Sequence, residues 1–403
     1  VDRIKPLFRK ELTLIYVAGF LQLSTVMTSF TLVPLYVRHV GGGDFAVGIQ
    51  AAIFTLFSVI FRLFLGPLAD SKGRKLALFI GGISFASAPV GIWLSPNLAV
   101  MALVRIWQAV GMASFLSAAT SYAADHAPEG RRGAVIGIYR TAITFSVMLG
   151  PALGMMLIER FGFGSYFLFS SLCALSGTML VLFLPEKLGV RHSHGEENEL
   201  TVGPKELAAL FTIRALRSAY LGIFMISMAN GVLLTFLAIY AGNFPAIGNP
   251  ALHFTLRAGV GAVGASAFGA LSDRFGRMKM LVPAIAAFAL GTWLLSLMDQ
   301  DARLFYYLSA AVSGLGFAGA LGLMITGVVD AVPSRLRASA LAFQESAIDG
   351  GNALGIFFFS LALTSYSFGK MFPLLSVFIL LIIPVFLLAN LGEKGRAVGK
   401  ETD

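Results

Sequence analysis

Gly66-Pro67-Leu68-Ala69-Asp70-Ser71-Lys72-Gly73-Arg74-Lys75 lies between two long apolar runs. At an offset of 203 positions the chain reads Gly269-Ala270-Leu271-Ser272-Asp273-Arg274-Phe275-Gly276-Arg277-Met278, again between apolar runs. Both copies share Gly-x-Leu-x-Asp-x-x-Gly-Arg. A polar hairpin duplicated inside a hydrophobic chain of 403 residues predicts two homologous membrane halves, an arrangement typical of transporters. The repeat goes deeper. Asp125-x-x-Pro128 is followed by Arg132, and Asp330-x-x-Pro333 by Arg337, at an offset of 205 that Gly150 and Gly355 share.

Composition agrees. The chain is 57% hydrophobic and 13% charged, about half the charged fraction of soluble domains. Cys173, the single cysteine, lies in an apolar run, so neither an intrachain disulfide nor a cysteine metal site is expected. The net charge of +9 would suggest nucleic acid in a soluble protein. Here it reads as basic loops on one side of a membrane, with no nucleic-acid partner. No cleavable signal is expected, because the first apolar run is too long for a signal core.

Crossing the hydrocarbon core takes roughly 20 helical residues. Twelve runs qualify: Thr13–Val37, Ala46–Ala69, Leu76–Leu94, Leu98–Ala124, Gly133–Ile158, Gly164–Leu184, Ala215–Ala241, Gly248–Leu271, Met280–Met298, Leu304–Val329, Ala338–Leu363 and Phe368–Leu391. The connections on one side, with both termini, hold 22 Lys and Arg; the other side holds Arg38, Arg160, Arg303 and Lys370, with Arg257 near an edge. This asymmetry predicts cytoplasmic termini and a multi-pass protein of the inner membrane. The expected fold is an all-α membrane protein of twelve transmembrane helices in two pseudo-symmetric six-helix bundles. The expected division is 1–184, a linker at 185–213 with a short surface helix from Pro204 to Leu216, and 214–403. The His192-Ser193-His194 stretch reads as solvated linker, so no metal site is expected.

The hairpin motif from Gly66 to Lys75 resembles the signature of the major facilitator superfamily, and the resemblance extends over essentially the whole chain. Leu103-Val104-Arg105-Ile106-Trp107-Gln108-Ala109-Val110-Gly111 is similar to the span-four motif of proton-coupled members. Ser146-Val147-Met148-Leu149-Gly150-Pro151-Ala152-Leu153-Gly154-Met155 resembles the span-five motif of the 12-span drug–proton antiporters. The resemblance implies two bundles around a central cavity, alternating access by rocking, and no covalent chemistry.

Asp70 ends span two, where a carboxylate can cap a facing helix and accept from arginines. With Gly73 allowing the turn and Arg74 anchoring it, Asp70 is a candidate gate. Asp273, Arg277, Asp125 and Asp330 join it through the repeat.

A charge inside a membrane helix costs about 2.5–3.5 kcal/mol on insertion scales, so each needs a partner or a task. Glu345 and Asp349 are paired on one face of span eleven and are the best candidates to carry a proton. In the fold the resemblance implies, Arg62 on span two faces them. That cluster is either a proton-sensitive lock or a permanent bridge. Arg140 on span five either attracts an anionic substrate group or pairs with Glu345. Arg105, with Gln108 one turn on, either tunes a protonatable group or bonds to polar groups of span one. Gln22 and Asn230 are further candidates for the cavity wall.

These residues predict a proton-coupled exporter of a small amphipathic or organic solute. A proton symporter for an organic anion is the second transport reading, and a non-transporting receptor or scaffold the rival of another class. No enzyme activity and no cofactor are expected, and the chain has no phosphate-binding loop for ATP. The expected partners are a small-molecule substrate, protons and the lipid bilayer, with the protein a monomer.

Overall fold

The computed structural model describes residues 5–128, 131–185, 213–333 and 336–390. Among them the regular structure is helical throughout. The helices are α1 (Lys10–His39), α2 (Asp44–Lys72), α3 (Arg74–Trp93) and α4 (Leu98–Asp125). A long segment, Arg132–Leu182, follows. It breaks at Gly162, whose φ of 80° and ψ of 174° no helix contains, so its two arms are α5 (132–161) and α6 (163–182). Next come α7 (Arg214–Ala241), α8 (Leu252–Phe275), α9 (Arg277–Trp293), α10 (Ala302–Asp330), α11 (Arg337–Ala362) and α12 (Phe368–Asn390). These are the twelve expected rods. The chain is a membrane-spanning, all-α protein. The helix α11 is not apolar enough to pass as a span on composition, yet it is a full-length rod like the others.

Most ends fall near their expected positions. Span eight is a correction: it was expected at Gly248–Leu271 and is found at Leu252–Phe275. A 3-10 turn at Pro245–Ile247 and a positive φ of 71° at Gly248 delay its start. Two caps recur between the halves. The Asn97 side chain accepts from Val100 N at 2.9 Å before α4, and Asp301 accepts from Leu304 N at 2.9 Å before α10.

The chain packs as two compact units. The first comprises Val1–Ser193, Leu234–Asn243 and Gly248–Thr255; the second comprises His194–Leu233, Phe244–Ile247 and Leu256–Asp403. Residues 186–212 of the expected linker and surface helix lie outside the described residues, and the last three residues of that helix, Arg214 to Leu216, belong instead to α7.

In the first unit α1 is held between α5 and α6. Gly150 lies against Thr28 and Gly154 against Leu32, so α5 runs beside α1 in the same direction. On the other flank Gln22 meets Thr178 and Thr25 meets Ser170, so α6 runs antiparallel. In the second unit α11 runs beside α7 as α5 does beside α1. Gly351 touches Phe224 and Gly355 touches Met228 backbone to backbone. Gly355 is the 205-offset counterpart of Gly150. Lipid tails provide no hydrophobic drive between helices, so such small residues set the packing by allowing close approach.

Candidate functional site

Each hairpin turns on a glycine. Gly73 has φ 100° and ψ 149°, and Gly276 has φ 91° and ψ 140°, a region only glycine enters without strain. The turn sends the next arginine back across the bundle. Arg74 Nε lies 3.5 Å from Asp125 Oδ2, and Arg277 pairs with Asp330. Both duplicated motifs therefore tie the α2–α3 or α8–α9 corner to the end of the fourth helix of its own unit. Lys75 Nζ adds a bond to the Leu182 carbonyl at 2.9 Å, fixing the same corner to the end of α6. Asp273 is exposed. The Asp70 side chain lies outside the described residues.

Arg105 is buried inside the first unit, 1% exposed. Its Nε donates to the Gln50 carbonyl at 3.2 Å, and its Nη1 donates to Gln108 Oε1 and to Ser29 Oγ. The guanidinium carbon sits 4.4 Å from the centroid of the Phe54 ring on α2. Gln108 Nε2 donates to the same Ser29 hydroxyl at 3.3 Å. Three helices thus share one polar knot around the arginine, and its span-one partner is Ser29. Gln22 is equally buried, but its amide donates to the Ala174 carbonyl and to Thr178 Oγ1, both at 2.9 Å. That geometry commits it to holding α1 on α6.

The second unit has a different interior. Arg257 of α8, 8% exposed, donates from Nη2 to Asn230 Oδ1 at 2.9 Å. Asn230 Nδ2 reaches Asn352 Oδ1 of α11 at 3.5 Å. The Arg257 guanidinium lies 4.9 Å from the ring centroid of Phe317 and 5.8 Å from that of Phe288. Asp349, one turn before Asn352, is the sole buried carboxylate among the described residues, and Glu345 is half-buried a further turn back. In the first unit Arg62 is half-buried and Arg140 is exposed. None of Arg62, Arg140, Glu345 and Asp349 is without a partner.

The second unit also holds an apolar cavity of about 210 Å³, lined by Met228, Val232, Phe358, Leu374 and Phe378 among others. Met228 and Val232 stand two residues either side of Asn230, which puts the cavity on the opposite flank of α7 from the arginine.

A family model described as Major Facilitator Superfamily matches residues 14–246 and 220–402. The chain belongs to the major facilitator superfamily. As a member it is a transporter of small molecules and not an enzyme. Among its relatives, the Multidrug resistance protein MdtG of Enterobacter lignolyticus is 24% identical over 386 residues, covering 93% of this chain and 90% of that protein. MdtG of Salmonella paratyphi A is 25% identical over 384 residues, covering 91% of each. The fold is shared with the nucleoside transporter NupG, at TM-score 0.79 and 14% identity over 94% of this chain and 99% of that one. It is shared too with a bacterial homologue of the human lysosomal transporter Spinster, at TM-score 0.76 and 17% identity over 96% of each chain.

Within this superfamily fold, three groups are visible that the sequence did not single out. Arg257 reads there as an edge charge, and Asn352 as one more polar residue. The third group is a pair on α5. Thr255 Oγ1 donates to the Met148 carbonyl, and Asn249 Nδ2 donates to the Ala152 carbonyl at 3.3 Å. Both carbonyls lie within the Ser146–Met155 motif, in which nothing marks them as acceptors.

Proposed function

We propose that this protein exports a small amphipathic organic solute in exchange for protons, by alternating access, as a monomer in the inner membrane with both termini in the cytoplasm. The observation that carries the reading is Asp349. A transporter driven by protons needs a carboxyl whose ionisation is costly enough to matter, and Asp349 is a buried acid on a membrane helix with a second acid one turn away. Likeness to MdtG along more than nine-tenths of the chain supports export, since those relatives are named for multidrug resistance. The basic loops support the orientation. In this reading Glu345 and Asp349 share the proton. In this reading, too, Asp70 and Asp273 belong to the gate with Gly73, Arg74, Arg277, Asp125 and Asp330, and the Arg–Asp pairs that tie helix ends within each unit support it.

The test is transport by reconstituted protein under pH gradients of both signs, across a panel of amphipathic cations, neutral compounds and anions. Uphill export of at least one class, driven by protons moving the other way, is expected. A Glu345→Gln, Asp349→Asn double variant should lose gradient-driven transport and keep substrate exchange. Full gradient-driven transport by that variant would move the proton site elsewhere.

A further inference from the structure

The second unit buries a cation that the described residues do not fully satisfy. Arg257 sits six residues into α8 and is 8% exposed. Its stem is pinned. Any Cβ at Gly314 of α10 would collide with the Arg257 carbonyl, so the two backbones touch there. Charge on a membrane helix demands compensation. Among the described residues Arg257 has one hydrogen bond, to Asn230, and no carboxylate partner. Its Nε is buried with no acceptor. The rings of Phe317 and Phe288 offset part of the charge, but they supply no oxygen acceptor for Nε. Arg105 shows what a purely structural arginine looks like in the same chain: its Nε and Nη1 reach three acceptors.

A native protein that leaves a buried N–H open usually has an unseen partner for it. Nε and Nη2 form the edge of the guanidinium that grips a carboxylate with two parallel bonds. Asn230 extends that edge, because its Nδ2 holds Asn352 only at 3.5 Å and remains a donor for a second anion oxygen. The neighbouring rings favour a ligand whose body is apolar.

We propose that Arg257, with Asn230 and Asn352, forms an anion subsite that takes the carboxylate of an amphipathic organic acid, its apolar body lying against the half-buried Phe317. That this acid is a transported substrate rests on the export reading above; the binding itself does not.

The test uses purified full-length protein in detergent, with thermal unfolding followed against sodium benzoate, sodium chloride and neutral benzamide. Benzoate is expected to raise the melting temperature of the wild type saturably, and the other two are not. Arg257→Gln should abolish the shift. Arg257→Lys keeps the charge and removes the fork, so the half-saturating benzoate concentration should rise roughly tenfold to a hundredfold even if the glutamine variant folds poorly. The exposed Arg303→Gln should leave the benzoate shift unchanged. An equal shift with benzamide, or a benzoate shift that survives Arg257→Lys unaltered, would overturn the proposal. A saturable shift with chloride that benzoate does not exceed would also overturn it, by making this a halide site. Gradient-driven transport of cations or neutral compounds without any benzoate shift ends this inference and leaves the export reading intact. A benzoate shift in a protein that transports nothing does the opposite.

Discussion

Among the described residues each unit of this transporter keeps one buried arginine, and the two have opposite surroundings. In the first unit the cation is on α4 and the ring beneath it, Phe54, on α2. In the second the cation is on α8, the counterpart of α2, and the nearer ring, Phe317, on α10. Arg257 even occupies the repeat position of Phe54, at the offset of 203 that separates the two hairpin motifs. Duplication has preserved a cation stacked on a ring between the second and fourth helices while reversing which helix supplies which. The first version is closed by Ser29, Gln108 and the Gln50 carbonyl. The second is open at Nε. At the helix ends the shared part of the motif has not diverged: both hairpins turn on a glycine and both tie their arginine to an aspartate of the fourth helix, although Lys75, which also holds the Leu182 carbonyl, is replaced by Met278 in the second copy. Interior and boundary have thus been under different physical demands. A turn and an ion pair at the membrane edge serve both halves equally, while a deep cation can serve one half as a brace and the other as a site.

The largest effect that would separate the halves is the cost of removing each arginine. Arg105→Met strands three polar partners in a dry interior and should cost about 3 kcal/mol. Arg257→Met removes an incompletely satisfied charge for one lost hydrogen bond, and should be neutral or stabilising within about 1 kcal/mol. Unfolding of the two variants in detergent measures both. Equal losses would erase the distinction between brace and site.

A smaller effect should show the halves alike. Gly73→Ala and Gly276→Ala each force a side chain into a backbone region reserved for glycine, at about 1–3 kcal/mol. The two costs should agree within about 1 kcal/mol. A tolerated substitution at one corner only would show that the boundary has diverged as well.

The smallest effect concerns the ion pairs. Arg74→Gln and Arg277→Gln break pairs whose members are all more than a quarter exposed, so each should cost less than about 1 kcal/mol and less still at high salt. A larger, salt-independent loss at either would mean that the pair does more than hold its corner.

Much of this was legible in the chain. Apolar run length located the rods, α11 being the one whose composition falls short, because a membrane leaves the backbone few alternatives to a helix. The repeat offset showed that Asp125 and Asp330 are equivalent positions, while their pairing with Arg74 and Arg277 is visible only in the structure. The polar interior was harder to read. Gln22 and Gln108 looked available to a cavity, but their partners are a carbonyl on α6 and a hydroxyl and an arginine reached through helix crossings. Hydropathy records that a residue is polar and says nothing about which neighbour will face it. Arg257 was misjudged for a related reason. An arginine in a weakly apolar, glycine-rich span suggests a side chain reaching for the interface, whereas those glycines draw α10 onto α8 and enclose it.

The corner at Gly162 has a consequence for how this gene can vary. A single residue joins α5 to α6, so nothing there can absorb a change of length. One inserted residue would advance the phase of α6 by about 100° and carry Ala174 and Thr178 off the flank where Gln22 meets them. Insertions and deletions should therefore be purged at this corner more strictly than substitutions, making it a fixed length gauge for the first unit.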